Sequence, residues 1–153
     1  MNPFAKVLLC TTSLLVVIVV LPFGIFAQVD PTTVYARAWA ILAAEPYVKK
    51  GFHMHEDYWC GNLASGEKKA IRQQLFKGND YWFWLGTEVD HAKVSVHIYN
   101  SDGELAEQRD SWEKEHLAAA HIIPKTTGSY FVIVTVEKSP VARTNWALAY
   151  GFR

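Results

Sequence analysis

Cysteine is scarce in this sequence. Two cysteines occur among 153 residues, and Cys10 lies in an apolar segment near the N-terminus. If that segment is removed, Cys60 has no partner in its own chain, which excludes a disulfide framework within the folded part. Because Tyr58 and Trp59 precede it, we expect Cys60 to be a buried free thiol, with a disulfide to a second chain as the alternative. No local signature of a catalytic cysteine accompanies it.

The sequence also lacks an excess of either charge. Its 15 Lys and Arg residues balance 15 Asp and Glu residues, and no basic cluster occurs. Nucleic-acid-binding proteins concentrate positive charge on one surface, so nucleic acid is not expected as a partner. The chain is 50% hydrophobic and 14% aromatic, a composition that excludes a disordered protein.

Recognised catalytic motifs are missing as well. The sequence contains no G-x-S-x-G elbow, no Gly-rich phosphate-binding loop and no dinucleotide fingerprint. We therefore expect a protein that is not an enzyme and that needs no cofactor. A small hydrolase is the less favoured alternative, because the members of a catalytic triad need only meet in space.

The first 27 residues have the layout of a secretory signal peptide. They contain no acid and one base, Lys6, ahead of an almost wholly apolar run over residues 7–26. Pro22 and Gly24 interrupt the end of that run, and the small Ala27 precedes the predicted cleavage site. The mature protein is then secreted or periplasmic. An uncleaved anchor is the alternative, because 20 apolar residues just span a bilayer, and only in that case is a membrane expected as a partner.

A helix is predicted after the signal segment. Asp30 is a suitable N-cap, and Pro31 suits the first turn, where its missing N–H costs nothing. Residues 32–45 are rich in alanine, and Pro46 is expected to end or kink the helix. The apolar face of this amphipathic helix is predicted to consist of Val34, Ala38, Ile41 and Leu42. The predicted organisation is a signal peptide over 1–27, a helix within 28–50 and a β domain over 51–153.

After residue 51, short segments rich in β-branched and aromatic residues alternate with turn signals. This spacing predicts a mainly β protein, an antiparallel, jelly-roll-like β-sandwich behind one helix. Side chains alternate between the two faces of a strand, so residues 93–100 and 129–137 are each predicted to turn one face to the core. In the second of these strands, Phe131 and Ile133 lie on the opposite face. That strand is expected to be central and covered on both faces. Residues 104–109 are predicted to form a polar return strand. The predicted core-facing residues are Val94, Val96, Ile98, Tyr130, Val132, Val134 and Val136.

The segment over residues 80–85 carries two tryptophans on one side of a predicted strand. If Tyr81, Phe83 and Leu85 face the core, Trp82 and Trp84 face outwards together and need a cover, since bare apolar patches of this size are rare. One solution is the N-terminal helix, which would supply Val34, Trp39 and Leu42. The other is an open aromatic platform for a glycan or a protein partner. Candidate ligand-binding residues are therefore Trp82, Trp84 and, in a predicted loop, Trp112.

Two metal hypotheses also arise. His53 and His55 would lie on one side of an extended segment, with Cys60 nearby, and could hold zinc or copper if a third ligand converged on them. A solvated strand face is the simpler interpretation. Asp90, Asp102 and Asp110 could supply oxygen ligands to calcium, but the strict EF-hand loop is absent and Asx residues favour turns in any case. No metal site is predicted.

Four pieces of the sequence resemble, in order and spacing, the bacterial pre-peptidase C-terminal domain. They lie at residues 61–67 (GNLASGE), 75–83 (LFKGNDYWF), 94–105 (VSVHIYNSDGEL) and 122–134 (IIPKTTGSYFVIV), so the resemblance covers about 61–152. It implies a small β-sandwich found in secreted and periplasmic proteins, with a non-catalytic role in binding, secretion or regulation. The sequence departs from the family at Asn100, where the family often carries an acid.

Overall fold

The structure is a computed structural model that describes residues 31–153. The signal segment predicted over 1–27 and the N-cap predicted at Asp30 lie outside the described residues. Within this part of the chain there are one helix and nine strands. Their bounds are α1 (Pro31–Val48), β1 (His53–Met54), β2 (Trp59–Leu63), β3 (Lys68–Leu75), β4 (Tyr81–Thr87), β5 (Lys93–Tyr99), β6 (Trp112–Lys114), β7 (Leu117–Ile122), β8 (Gly128–Lys138) and β9 (Thr144–Phe152).

The strands form two antiparallel sheets that pack face to face. The large sheet has the order β1-β9-β4-β7-β6, with β2 also paired to β9, and the small sheet has the order β3-β8-β5. The helix α1 contacts β4, β9 and β7 on the outer face of the large sheet. The predicted fold class, a mainly β antiparallel sandwich behind one N-terminal helix, is therefore confirmed.

Alternation correctly predicted the layer between the two sheets. The inward residues of β5 and β8 are buried there against Tyr81, Phe83 and Leu85 of β4, as expected. On β9, bulky Trp146, Leu148 and Tyr150 also enter this layer. Because every second side chain of a strand points to the same face, the remaining side chains of β4 and β9 point to α1.

The helix buries a different face from the one predicted. Ala36, Ala40 and Ala44 are fully buried, whereas Val34 and Leu42 are 53% and 52% exposed. The physical reason lies in β4. A Cβ placed on Gly86 would lie 2.5 Å from the backbone nitrogen of Ala40, so the helix touches the sheet backbone and only small residues fit between them.

The helix lies within the predicted region 28–50 but does not end at Pro46. It continues through Pro46 to Val48, so this proline falls in the last turn, where one lost intrahelical hydrogen bond is tolerated. Lys50 and Gly51 then donate backbone hydrogen bonds to Tyr47 and Val48, and Gly51 has a positive φ of 93°. Among residues 31–153, no helix has both the length and the apolarity needed to cross a membrane.

Three smaller predictions were wrong. Residues 104–109 form no strand beyond a single bridge between Tyr99 and Leu105. Cys60 is exposed rather than buried, because its neighbour Trp59 takes the inward position on β2. Phe131 and Ile133 on β8 are partly exposed, because α1 covers the large sheet and leaves the outer side of the small sheet without a helix.

Candidate functional site

Trp82 and Trp84 do not form an open platform. Both are buried beneath α1 in a layer that also contains Phe52 and Ala119. The ring of Trp82 stacks on His121 at 4.6 Å between centroids, with Tyr47 of the helix 4.3 Å away on a tilted plane. Of the two solutions predicted for this pair, the helical cover is the one present. The expectation that Trp82 and Trp84 contact a ligand directly is corrected accordingly.

Trp112 lies in a different environment. It is partly exposed on the short edge strand β6, and its indole nitrogen donates a hydrogen bond to the Tyr47 hydroxyl at 2.8 Å. Its ring lines a cavity of about 290 Å³ together with His97, Glu107 and Glu113. Trp112 is therefore the one predicted ligand residue that borders open space.

A cleft lies between two loops at one end of the sandwich. One loop joins β5 to β6, and the other joins β7 to β8. The cleft has a volume of about 560 Å³. Leu105 and Ile123 expose 59% and 46% of their surface there. Charged groups of both signs border them, namely Asp102, Glu104, Arg109 and Lys125.

Hydrogen bonds within the β5–β6 loop fix the first wall of the cleft. The side-chain oxygen of Asn100 accepts hydrogen bonds from the backbone N–H groups of Asp102 and Glu104, both at 2.9 Å. Gly103, with a φ of 79°, donates its N–H to the Asn100 carbonyl. Asn100 thus closes a tight turn and aims Glu104 and Leu105 towards the cleft.

Glu107 separates the cleft from the smaller cavity and lines both. Its carboxylate lies 3.1 Å from Nδ1 of His97 and accepts the backbone N–H of Ile98, also at 3.1 Å. In a longer sheet, this backbone N–H would donate to a carbonyl group of a neighbouring strand. The side chain of Glu107 therefore replaces part of the return strand predicted over 104–109, and this replacement leaves room for the cleft.

A second cluster anchors the end of the same loop to β7. His121 places Nε2 2.5 Å from a carboxylate oxygen of Asp80 and Nδ1 2.7 Å from one of Asp110. Its backbone carbonyl accepts the N–H of Gln108, and its backbone N–H donates to Ser111 Oγ. The His121 ring thus contacts one carboxylate on each side, and together with the two backbone hydrogen bonds it holds the loop in place.

The second wall is fixed by Tyr130 and the threonines of the β7–β8 loop. The Tyr130 hydroxyl donates to the Thr126 carbonyl at 2.9 Å, and Thr127 Oγ1 accepts the backbone N–H of Lys77. Both walls are thus tied to strands. An opening between such walls is preformed and loses little entropy when it binds a ligand.

The arrangement does not assemble a catalytic triad. Ser111 borders the small cavity with His97 and Glu107, but its hydroxyl donates to the Gln108 carbonyl at 2.8 Å. A serine nucleophile would instead donate to a histidine base.

In the part of the chain that it describes, the structure does not bring together enough ligands for either metal hypothesis, zinc or copper at His53 and His55 or calcium at the aspartates. His55 stacks on Tyr150 at 4.8 Å, and its Nδ1 accepts the N–H of Asp57, while Asp110 pairs with His121. Within residues 31–153, His, Cys, Asp and Glu side chains nowhere gather in a group of three that could hold a metal ion.

The sequence patterns did not single out Leu105 and Ile123, the exposed aliphatic residues of the cleft. Leu105 lies in a polar stretch, and Ile122 and Ile123 are adjacent. Two neighbouring residues of an extended segment cannot both face one core, so one isoleucine had to point elsewhere. This is the signal that could have identified Ile123.

No protein-family model matches the chain. A tryptophan–tRNA ligase from Sulfurisphaera tokodaii is similar to it, with 36% identity over 78 residues. The match takes in 51% of this chain and 19% of the ligase, so the chain spans about a fifth of that relative's length. A match over so small a part of the ligase does not carry aminoacylation over to this chain.

Proposed function

We propose that this chain is an exported, non-catalytic binding module whose cleft between the β5–β6 and β7–β8 loops holds an extended segment of a partner protein. The observation that carries the proposal is the pairing of exposed Leu105 and Ile123 in a cleft of about 560 Å³. Export rests on the apolar segment over 7–26 and the predicted cleavage after Ala27. The resemblance to accessory β-sandwich modules points to the same class of function.

The lining of the cleft suits a peptide. The aliphatic side chains that line it can bury apolar side chains of a partner, and the charged side chains of both signs that also line it can orient a peptide. Sugars are bound mainly by stacking on exposed aromatic rings. The aromatic residue of this cleft is Tyr130, which is buried and whose hydroxyl is engaged by Thr126.

The proposal can be tested with a phage library of random peptides selected on the immobilised full chain. We expect Ile123→Asp to weaken the affinity for the selected peptides about tenfold or more, because it replaces an aliphatic lining residue of the cleft with a charge. Val141→Asp is the matched control. Val141 is 44% exposed, like Ile123, but lies in the turn after β8, at the opposite end of that strand. The proposal fails if no peptide is enriched, or if both variants bind the selected peptides equally well.

A glycan remains a second candidate partner because of a different surface. Arg72, Phe131 and Tyr99 are directly opposite one another across β3, β8 and β5, on the outer face of the small sheet. Phe131 and Tyr99 are partly exposed there and could stack on a sugar ring. The test is to measure binding of soluble cell-wall fragments to the chain. A loss of affinity in Tyr99→Ala, with no loss in Ile123→Asp, would favour this candidate over the cleft.

A further inference from the structure

The outward face of α1 exposes an unusual amount of apolar surface. Val34, Tyr35, Ile41 and Leu42 are 40–64% exposed, and Ala38 lies among them. We call these five residues the outward patch. We infer that the outward patch is a membrane-contact surface, which lies in the headgroup region of a lipid bilayer.

The close packing of α1 on the sheet explains why this surface is not buried in the molecule. Gly86 and the alanines of the inward face bring the helix onto the backbone of β4, and that contact leaves no space for bulky side chains. The large apolar residues therefore point away. A helix that is apolar on both sides is normally buried on both sides, so a second cover is expected on the outward patch.

The apolar run that precedes the helix in the sequence indicates that a lipid bilayer covers the outward patch. The apolar run over 7–26 ends five residues before Pro31, and five extended residues span about 17 Å. Whenever that run occupies a bilayer, the first turns of α1 are therefore held at its surface. The outward patch lies within the first twelve residues of α1, whereas Glu45 in its last turn pairs with Lys49, just after the helix, at 2.7 Å. Five of the six large apolar residues that α1 exposes lie in the part nearer to the apolar run, and the sixth, Val48, lies at the far end of the helix.

The charges and the aromatic residues of α1 are also compatible with contact to a lipid surface. Residues 31–44 contain Arg37 and no acid, and Lys50 follows the helix, so an anionic lipid surface meets no repulsion from this part of the helix. Tyr35 in the patch and Trp39 on its flank are the residue types that accumulate at membrane interfaces. A helix of this kind lies on a bilayer rather than across it.

A position-specific probe tests the inference on the full chain. With Cys10 and Cys60 replaced by serine, a single cysteine is introduced by Leu42→Cys or by the control Val141→Cys, and each is labelled with an environment-sensitive fluorophore. Position 141 is similarly exposed but lies in the β8–β9 turn. The full chain, with residues 1–27 retained, is combined with vesicles of phosphatidylcholine and phosphatidylglycerol that contain doxyl-labelled lipid. We expect several-fold stronger quenching of the label at position 42 than of the label at position 141.

Three results would overturn the inference. Equal quenching at the two positions would show that the outward patch does not enter lipid. Disulfide-linked dimers formed through position 42 without lipid would assign the patch to a second copy of the chain. Protection of position 42 from aqueous iodide before vesicles are added, without later quenching by lipid, would assign it to residues 7–26. Matching unfolding curves for the two labelled variants confirm that both are folded.

Discussion

The layer between the two sheets and the layer between the large sheet and α1 are built from different residues. The first is filled by branched aliphatic and aromatic side chains from both sheets, among them Phe83, Val132 and Leu148. The second combines Trp82 and Trp84 with the smallest side chains, those of Ala44 and Ala119. Bulky residues of both sheets meet in the first layer, to which β7 adds Ala118 and Ala120, whereas in the second layer the largest side chains of the protein meet alanines.

The geometry of each layer explains the difference. Two sheets stay about 10 Å apart, a distance that side chains of middle size fill from both sides. The helix instead touches the large sheet at Gly86 and stands away from it over the indole rings, so the gap varies along β4. Where the gap beneath the helix is narrow, only small side chains fit, whereas the wider layer between the sheets accepts hydrophobic side chains of every size.

Truncation of two adjacent residues on β4 should show the separate contribution of each layer to stability. Phe83 and Trp84 are both fully buried, one in each layer. We expect Phe83→Ala and Trp84→Ala each to lower the free energy of unfolding by about 3–5 kcal/mol, because each leaves a large cavity. Hydrogen exchange should distinguish them. Amides of α1 should exchange faster in Trp84→Ala while the sheets stay protected, and Phe83→Ala should accelerate exchange throughout. Identical exchange patterns would mean that the two layers open as one unit.

A smaller effect is expected where the helix touches the sheet. In Gly86→Ala the new Cβ would lie 2.5 Å from the Ala40 nitrogen and 2.6 Å from the Ala36 carbonyl oxygen, so the helix backbone must move. We expect a loss of about 1–3 kcal/mol in the free energy of unfolding, measured by urea denaturation. Gly128→Ala is the matched control, because a Cβ there meets no atom within 4 Å. Equal stability of the two variants would contradict the close contact that defines the helix layer.

The buried residues of the layer between the sheets could be predicted from the sequence, whereas those of the helix layer could not. Alternation in β5 and β8 gave the correct inward residues because burial on one face of a strand has a period of two. The helix is apolar on nearly every side, so hydrophobicity could not select its buried face, and the alanines of β7 gave no strand signal. β7 has alanines because Ala119 is opposite Trp84 and Ala120 is opposite Phe83.

The candidate site was hardest to predict because it depends on side chains that replace backbone partners. Glu107 bonds the backbone of Ile98, and Asn100 closes the turn that follows β5. The hydrogen bonds of their side chains to the backbone are not visible as periodicity in the sequence. Trp112 was identified from residue type alone, and the structure places it beside the small cavity.

The smallest expected effect is a pH dependence that belongs to the layer between the sheets. Burial raises the pKa of the Tyr150 phenol above its ordinary value of 10.0. The folded state therefore holds this proton more tightly than the unfolded state does. Its contribution to stability is complete below about pH 10 and declines as the pH rises through the pKa of the folded state.

Tyr150→Phe should remove that decline. The thermal midpoint of the unaltered protein should fall more steeply than that of Tyr150→Phe as the pH rises beyond 10, and the two slopes should agree between pH 7 and 9, about one unit or more below the ordinary tyrosine pKa. The helix layer offers an internal comparison through Tyr47→Phe, which removes the hydrogen bond from Trp112 at every pH and so lowers the midpoint by a nearly constant amount. If Tyr150→Phe also shifted the midpoint uniformly, the hydroxyl of Tyr150 would act as a hydrogen-bonding group, and its burial between the sheets would carry no pH dependence.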